Sequence, residues 1–315
     1  NPENNSEESL AKLTNNLSKV PNEVWGSGNC SIKLKVFNKE SEAFFEVVKE
    51  YTLKHKNEIL KLIEKYHVGG LIFSLGNPSK HAKWLNEFQS KSATPLLIGM
   101  DAEWGVAMRL DSCLSFPWQM TLGAISDETL IYEMGEEIAR QCKLLGIHIN
   151  FAPVVDVNSN PNNPIIGNRS FGASKERVSR QALAIMRGHH DFGILTSGKH
   201  FPGHGFVKGD THKELIFIDG EMKEVENYIP LIQSGVISIM VAHLAVKNNE
   251  EYNTFGLPST CSRNIVTNLL KDSLGFEGLI VTDALNMGGV ANLENNGLKA
   301  AQAGCDQLLL SLIHI

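Results

Sequence analysis

Apolar positions recur with helical spacing in three stretches of the chain. Between residues 39 and 66, Phe44, Phe45, Val48, Ile59, Leu62 and Ile63 stand among lysines and glutamates, and residues 127–145 and 175–187 repeat the pattern. Each stretch predicts an amphipathic helix with one face toward a core. Short apolar runs of strand length alternate with them, at 70–73, 95–100, 147–152, 194–197, 236–242, 278–282 and 306–310. One more run, SIKLKVF at 31–37, alternates apolar and polar residues as a half-exposed strand does. Eight strands alternating with helices predict an α/β fold, a (β/α)8 barrel of the TIM type. A doubly wound sheet is the alternative, but no GxGxxG turn follows the first strand and there is no Walker loop. No linker rich in Pro, Gly or Ser divides the chain and no repeat is visible, so the expected organisation is a polar N-terminal extension, 1–30, and one barrel, 31–315.

A barrel of this kind carries its chemistry at the carboxyl ends of its strands, so polar residues should follow the apolar runs. Asp101 follows 96–100, Asp156 follows 149–155, Lys199 and His200 follow 194–198, His243 follows 237–242, and Asp283 follows 279–282. The richest of these sites is GKHFPGHGFVKGDTH at 198–212. Pro202, Gly203 and Gly205 forbid a regular helix there and favour a loop that folds back over a ligand. Asp210 and His212 lie two apart, so the carboxylate can accept from one imidazole nitrogen and leave the other to move a proton. With Gly203, Gly205 and Gly209 in it, the segment 203–209 is expected to swing that pair in and out of the site, with Phe206 as an apolar latch on the closed form. His189 and His190, just after the helical stretch 175–187, are expected on the surface.

Composition narrows the ligand. The chain has 315 residues, 42% apolar and 20% charged, as an ordinary globular protein does. A formal net charge of −6 argues against a nucleic-acid or anionic-membrane partner and favours a small neutral or polar ligand. Five cysteines without a CxxC pair are read as free thiols, with neither a disulfide framework nor a zinc site. No apolar run approaches the ~20 residues of a membrane span. The polar opening 1–16, without an initiator Met, is read as the remnant of a removed signal peptide. The expected location is therefore periplasmic or secreted rather than cytoplasmic.

Five stretches in this order carry a resemblance: LLIGMDAEWGVAMRLD at 96–111, NFAPVVDVNSNPNNPIIGNRSFG at 150–172, KHFPGHGFVKGDTH at 199–212, MVAHLAV at 240–246 and GLIVTDALNMGGV at 278–290. Together, over residues 68–310, they resemble glycoside hydrolase family 3, in its bacterial exo-β-N-acetylglucosaminidase branch. The resemblance implies Asp283 as nucleophile, although an Asp there could also cap a helix beginning near Ala284. It implies His212 as acid/base, held by Asp210, and Asp101, Arg109, Arg169, Lys199 and His200 as ligands of the terminal sugar. Arg169 could instead brace the backbone, and Asp156 and His243 could tie loops together. The implied reaction removes terminal β-GlcNAc from peptidoglycan fragments or chitin oligomers through a covalent glycosyl-enzyme, with no metal or organic cofactor.

The alternatives are a β-glucosidase or β-xylosidase of the same family, a β-GlcNAc phosphorylase, and a non-catalytic sugar-binding protein. The first pair lacks the Asp-x-His loop and keeps its acid/base on a further domain. Three departures stand out. The opening GSGNCSIKLKVF replaces the usual first-strand stretch, Phe206 replaces a small polar residue, and Ile315 follows the last strand so closely that the last barrel helix is expected to be missing.

Overall fold

The computed structural model describes residues 31–38, 41–49 and 53–309. The expected extension 1–30, Cys30 and everything after Leu309, including the expectation about a last helix, lie outside the described residues. Nine strands close into one barrel: β1 (Ser31–Asn38), β2 (Ser41–Lys49), β3 (Val68–Phe73), β4 (Leu97–Met100), β5 (Ile149–Asn150), β6 (Leu195–Phe201), β8 (Ser238–Val241), β10 (Leu279–Thr282) and β11 (Gln307–Leu309). Two others, β7 (Ile216–Asp219) and β9 (Leu244–Lys247), pair in parallel as a separate small sheet. Seven of the barrel strands, β3, β4, β5, β6, β8, β10 and β11, are the apolar runs read from the sequence, paired in parallel in that order.

The ring closes differently from the expectation. The run at 31–37 forms β1, which pairs antiparallel with both β2 and β3. The eighth parallel strand is β2, which joins β11 with Phe44 opposite Leu308. Residues 41–49 are therefore strand where a helix was expected, and the helix begins only at Leu53 and runs to Tyr66. Phe44, Phe45 and Val48 do fit a helical spacing. They also make a short apolar run rich in aromatic and β-branched side chains, which periodicity alone cannot tell from a strand. Pairing on both sides decides it, since a closed ring leaves no edge exposed.

Two apolar clusters fill the barrel wall. Ile72, Ile149, Met240, Val281 and Leu309, from five strands, pack with Phe151, Ala284 and Met287. Their strand neighbours, such as Leu71, Phe73, Ile239, Ile280 and Leu308, join the larger cluster with the helices. Alternation along the strands thus separates the barrel interior from the layer beneath the helices. The other two expected helices are present as Glu128–Leu144, capped by Asp127, and Lys175–Asp191, capped by Ser174. Among the described residues no helix is long and apolar enough to cross a membrane.

These two helices cross at a pair of glycines. A Cβ on Gly135 would stand 2.7 Å from Ile185 O, and one on Gly188 would overlap Tyr132 O. The close crossing presses the last turn of Lys175–Asp191 onto the barrel, and His189 with it. His189 is fully buried, not on the surface as expected. Its Nδ1 lies 2.9 Å from Ile185 O and its Nε2 lies 3.0 Å from Asn150 Nδ2, and burial lowers its pKa to about 4. His190, half-buried, stands 2.9 Å from Thr196 Oγ1.

A Gly→Ala change in a helix ordinarily stabilises it by about 1 kcal/mol. At Gly188 the added methyl meets backbone, so Gly188→Ala is expected to destabilise by roughly 1–3 kcal/mol, read as a lower urea midpoint with unchanged slope. A midpoint equal to or above wild type would show that the helices do not cross this closely.

Candidate active site

Each strand-end residue singled out in the sequence stands at the carboxyl end of the barrel. Asp101 directly follows β4, Asp283 directly follows β10, and Lys199 and His200 close β6. From the ends of β4 and β6 grows a chain of alternating charge. Lys199 Nζ lies 3.1 Å from Asp101 Oδ1 and 2.7 Å from Glu103 Oε1. Arg109 Nη2 donates to the other oxygen of Asp101 at 2.8 Å. Arg169 grips Glu103 with two parallel bonds, Nε to Oε2 at 3.0 Å and Nη2 to Oε1 at 2.7 Å. The Glu103 side chain is fully buried and that of Lys199 3% exposed, whereas those of Arg109 and Arg169 are 26% and 21% exposed. Burial would raise the Glu103 carboxyl, but Arg169 and Lys199 hold it well below the usual carboxylate range.

Asp156 is fully buried and organises the start of the following loop. It accepts from the backbone N–H of His200 and of His204, the latter at 2.7 Å, and His200 Nδ1 lies 2.6 Å away. With Nδ1–H donating to Asp156, His200 Nε2 is left as an acceptor toward Arg169 Nη2, 3.4 Å away. Burial would raise the Asp156 carboxyl, but His200 beside it brings it below its ordinary value. Asp156 is therefore the positioning group for His200, in line with the loop-tying role.

Asp283 is half-buried, and its Oδ1 accepts from Ala284 N at 2.7 Å. Burial would raise its pKa, but the nearby imidazoles of His200, His243 and His212 bring it down to about 2. Asp283 is thus a carboxylate across the whole ordinary pH range. His243 is fully buried, with Nδ1 2.9 Å from Thr260 Oγ1 and Nε2 2.9 Å from Ala284 O. Both of its nitrogens are occupied in shaping the turn that follows Asp283.

Asp210 and His212 form the dyad expected of them. Asp210 Oδ1 lies 2.8 Å from His212 Nδ1 and also accepts from His212 N at 2.9 Å. The His212 side chain is 50% exposed, and backbone bonds anchor its segment to the turn that follows β10: Gly288 N donates to His212 O and Gly289 N to Thr211 O.

The swinging segment 203–209 is not what the structure holds. The Glu224 carboxylate accepts from Val157 N, Gly205 N and Phe206 N, at 2.7, 3.3 and 3.0 Å. Asn163 Nδ2 donates to the carbonyls of His204 and Val207, and Asn160 Nδ2 to Val207 as well. A Cβ on Gly203 would overlap Glu224 and one on Gly205 would overlap Val157 O. These glycines serve close packing rather than freedom, and the segment is pinned at both walls. Phe206 is half exposed with Lys223 Nζ 5.0 Å from its ring centre, so it latches nothing over the site. Glu103, Glu224, Asn160 and Asn163 are not singled out by the sequence pattern. A carboxylate buried in a polar loop web leaves no periodic signal. The Asn-rich run 158–163 was the available hint.

The family model described as the glycosyl hydrolase family 3 N-terminal domain matches residues 33–313. A beta-hexosaminidase A of Pseudoalteromonas piscicida is 34% identical over 284 residues, 81% of this chain and 48% of that protein. A beta-hexosaminidase of Nitrosomonas eutropha is 31% identical over 264 residues, 77% of this chain and 73% of that protein. The solved structure of a glycoside hydrolase family 3 beta-N-acetylglucosaminidase from Paenibacillus sp. str. FPU-7 superposes with a TM-score of 0.75 at 35% identity, covering 81% of this chain and 51% of that one. The chain thus spans about half the length of the first of these relatives and of the solved structure.

Burial, with the charge of Asp156 second, pushes the Glu224 carboxyl up to about 8 against the pull of its three N–H donors. A folded pKa raised above the ordinary 4.5 gives stability that is full below that value and is lost as pH rises toward 8. The thermal midpoint is expected to fall across this window, and Glu224→Gln, neutral throughout, to flatten the fall by on the order of 5 °C. A wild-type midpoint that holds level or rises from pH 5 to 8, with no difference between the two proteins, would place the Glu224 proton elsewhere.

Proposed function

Because the chain belongs to glycosyl hydrolase family 3, we propose that it is a retaining, exo-acting β-N-acetylglucosaminidase that removes terminal β-GlcNAc from chitin oligomers or peptidoglycan fragments. The observation that carries this reading is the Asp210–His212 dyad, tied by its backbone to the 288–289 turn that follows Asp283. It puts a proton-moving imidazole and an ionised carboxylate at one end of one barrel. The names of the relatives support the substrate.

The terminal sugar lies against the strand ends, where Asp101, Arg109 and Arg169 present partly exposed groups to its hydroxyls. Lys199 and Glu103 are too enclosed to reach far and fix those groups in place. Asp283 attacks the anomeric carbon as the bond to the leaving oxygen breaks, and His212 Nε2–H gives that oxygen its proton. Asp210 accepts from Nδ1–H throughout, fixing the ring and the tautomer. In the second half His212 takes a proton from water, whose oxygen displaces Asp283 and releases the sugar with retained configuration.

Asp283→Asn removes the nucleophile and is expected to abolish turnover while leaving sugar binding nearly intact. A variant that keeps more than a few per cent of wild-type kcat on 4-nitrophenyl β-GlcNAc would show the nucleophile to be another group. His212→Ala is expected to slow poor leaving groups by ~10²- to 10⁴-fold and activated aryl glycosides far less in the bond-breaking step. Azide should restore part of the second step. Equal loss on both substrate types would make His212 a binding residue. Free GlcNAc as product, also in phosphate buffer, separates hydrolysis from phosphorolysis, and absence of any turnover would favour the sugar-binding alternative.

A further inference from the structure

The three residues of the Asp-x-His stretch differ sharply in exposure. The Asp210 and His212 side chains are 18% and 50% exposed, whereas Thr211 between them is 2% exposed. The Thr211 hydroxyl lies 3.0 Å from Nε2 of His204, which is itself 2% exposed. The middle residue of the stretch is thus turned inward, onto an imidazole that the mechanism above leaves without a task. Both partners are out of water, where a hydrogen bond is strong and a lost one is not replaced by solvent.

His204 is a firm anchor. Its N–H donates to Asp156 Oδ1 at 2.7 Å, and its carbonyl accepts from Asn163 Nδ2 at 2.6 Å. Among the described residues its Nδ1 has no hydrogen-bond partner, and a buried N–H without an acceptor is costly. The ring proton therefore sits on Nε2 and is given to Thr211 Oγ1. Burial lowers the pKa of the ring, which favours this singly protonated form, and Asp283 is among the charges that act on it. Thr211 is held from the other direction as well, because its carbonyl accepts from Gly289 N at 2.9 Å in the turn that follows Asp283. By contrast, Asp210 and His212 bond each other, and Asp210 also meets Lys213, whose side chain is 80% exposed. Among the described residues, then, Thr211 carries the side-chain bond that ties 210–212 to the enclosed loop.

We propose that His204 is a positioning residue for the acid/base: through Thr211 it holds the Asp210–His212 pair in the orientation in which His212 transfers its proton. The proposal rests on the reading of His212 as acid/base. His204 acts through Thr211 and need not touch the sugar.

Thr211→Val removes the acceptor with almost no change in shape, and His204→Phe removes the donor from the other end. The readout is kcat/KM, which reports the bond-breaking step, on methyl β-GlcNAc and on 4-nitrophenyl β-GlcNAc. A loosened dyad is expected to lower it ~10- to 100-fold on the methyl glycoside and by no more than about threefold on the activated one. Thr211→Ser and His204→Gln, which keep a hydroxyl and an N–H in place, should recover most of the loss. In a His212→Ala background, Thr211→Val should lower neither rate further, because its effect passes through His212. Equal loss on both substrates, an undiminished further loss on top of His212→Ala, or wild-type rates in Thr211→Val would each overturn the proposal and leave the reading of His212 standing. If His204→Phe does not fold, Thr211→Val and Thr211→Ser decide the case on their own. Equal loss on both substrates in His212→Ala itself would remove the acid/base reading, and the positioning role with it.

Discussion

Lys199 is an ammonium group almost wholly withdrawn from water, and the site is arranged around keeping it tenable. Its charge is answered by Asp101 and Glu103, at 3.1 and 2.7 Å. Two carboxylates converging on one cation would repel each other, so each needs a cation of its own, and Arg109 and Arg169 supply them. Removing one member of such a buried set strands the others, at a cost of roughly 3–5 kcal/mol. The chain therefore behaves as one unit. Its enclosed middle sets the geometry, and its more open ends reach solvent.

The groups around Asp283 divide similarly between shaping and reacting. Three imidazoles stand near its carboxyl group, yet they are not equivalent. His243 spends both nitrogens on Thr260 and the Ala284 carbonyl, so it is a brace for the turn after Asp283, and burial lowers its pKa. His200 is oriented by Asp156 and faces Arg169. Only His212 pairs with a carboxylate while half its side chain is open to solvent, which is the condition for exchanging protons with a leaving group and with water. The Glu224 and Asn163 web holds the loop behind it.

What could be read in the sequence follows from what leaves a local trace. Seven parallel strands were legible because buried strands need unbroken apolar runs, and Asp101, Lys199, His200 and Asp283 were legible because a barrel places polar groups where such runs stop. The family resemblance supplied the roles. β2 was misread because Phe44, Phe45 and Val48 fit two periods at once, and only its pairing with β11 settles which. His189 is not legible because a polar residue in the last turn of a helix looks solvated, whereas this turn is pressed onto the barrel by Gly135 and Gly188, 53 positions apart, a contact without local signature. Glu103 and Glu224 gained their partners across comparable separations, and sequence shows such pairs only as isolated charges.

That burial of His189 ties the outer layer to the chemistry. Asn150 Nδ2 meets His189 Nε2, while the same amide group bonds Ala102 twice, Oδ1 accepting from its N–H at 2.9 Å and Nδ2 donating to its carbonyl at 3.1 Å. Ala102 stands between Asp101 and Glu103, the two carboxylates that hold Lys199. With Nδ1–H given to Ile185 O, His189 is a pure acceptor at Nε2, so it fixes which way the Asn150 amide faces. A protonated His189 would turn that acceptor into a donor and oppose the amide, but burial keeps the ring neutral down to about pH 4. The position of Asp101 thus depends on a helix turn on the far side of β5, and on the backbone contact at Gly188 that lets that turn approach.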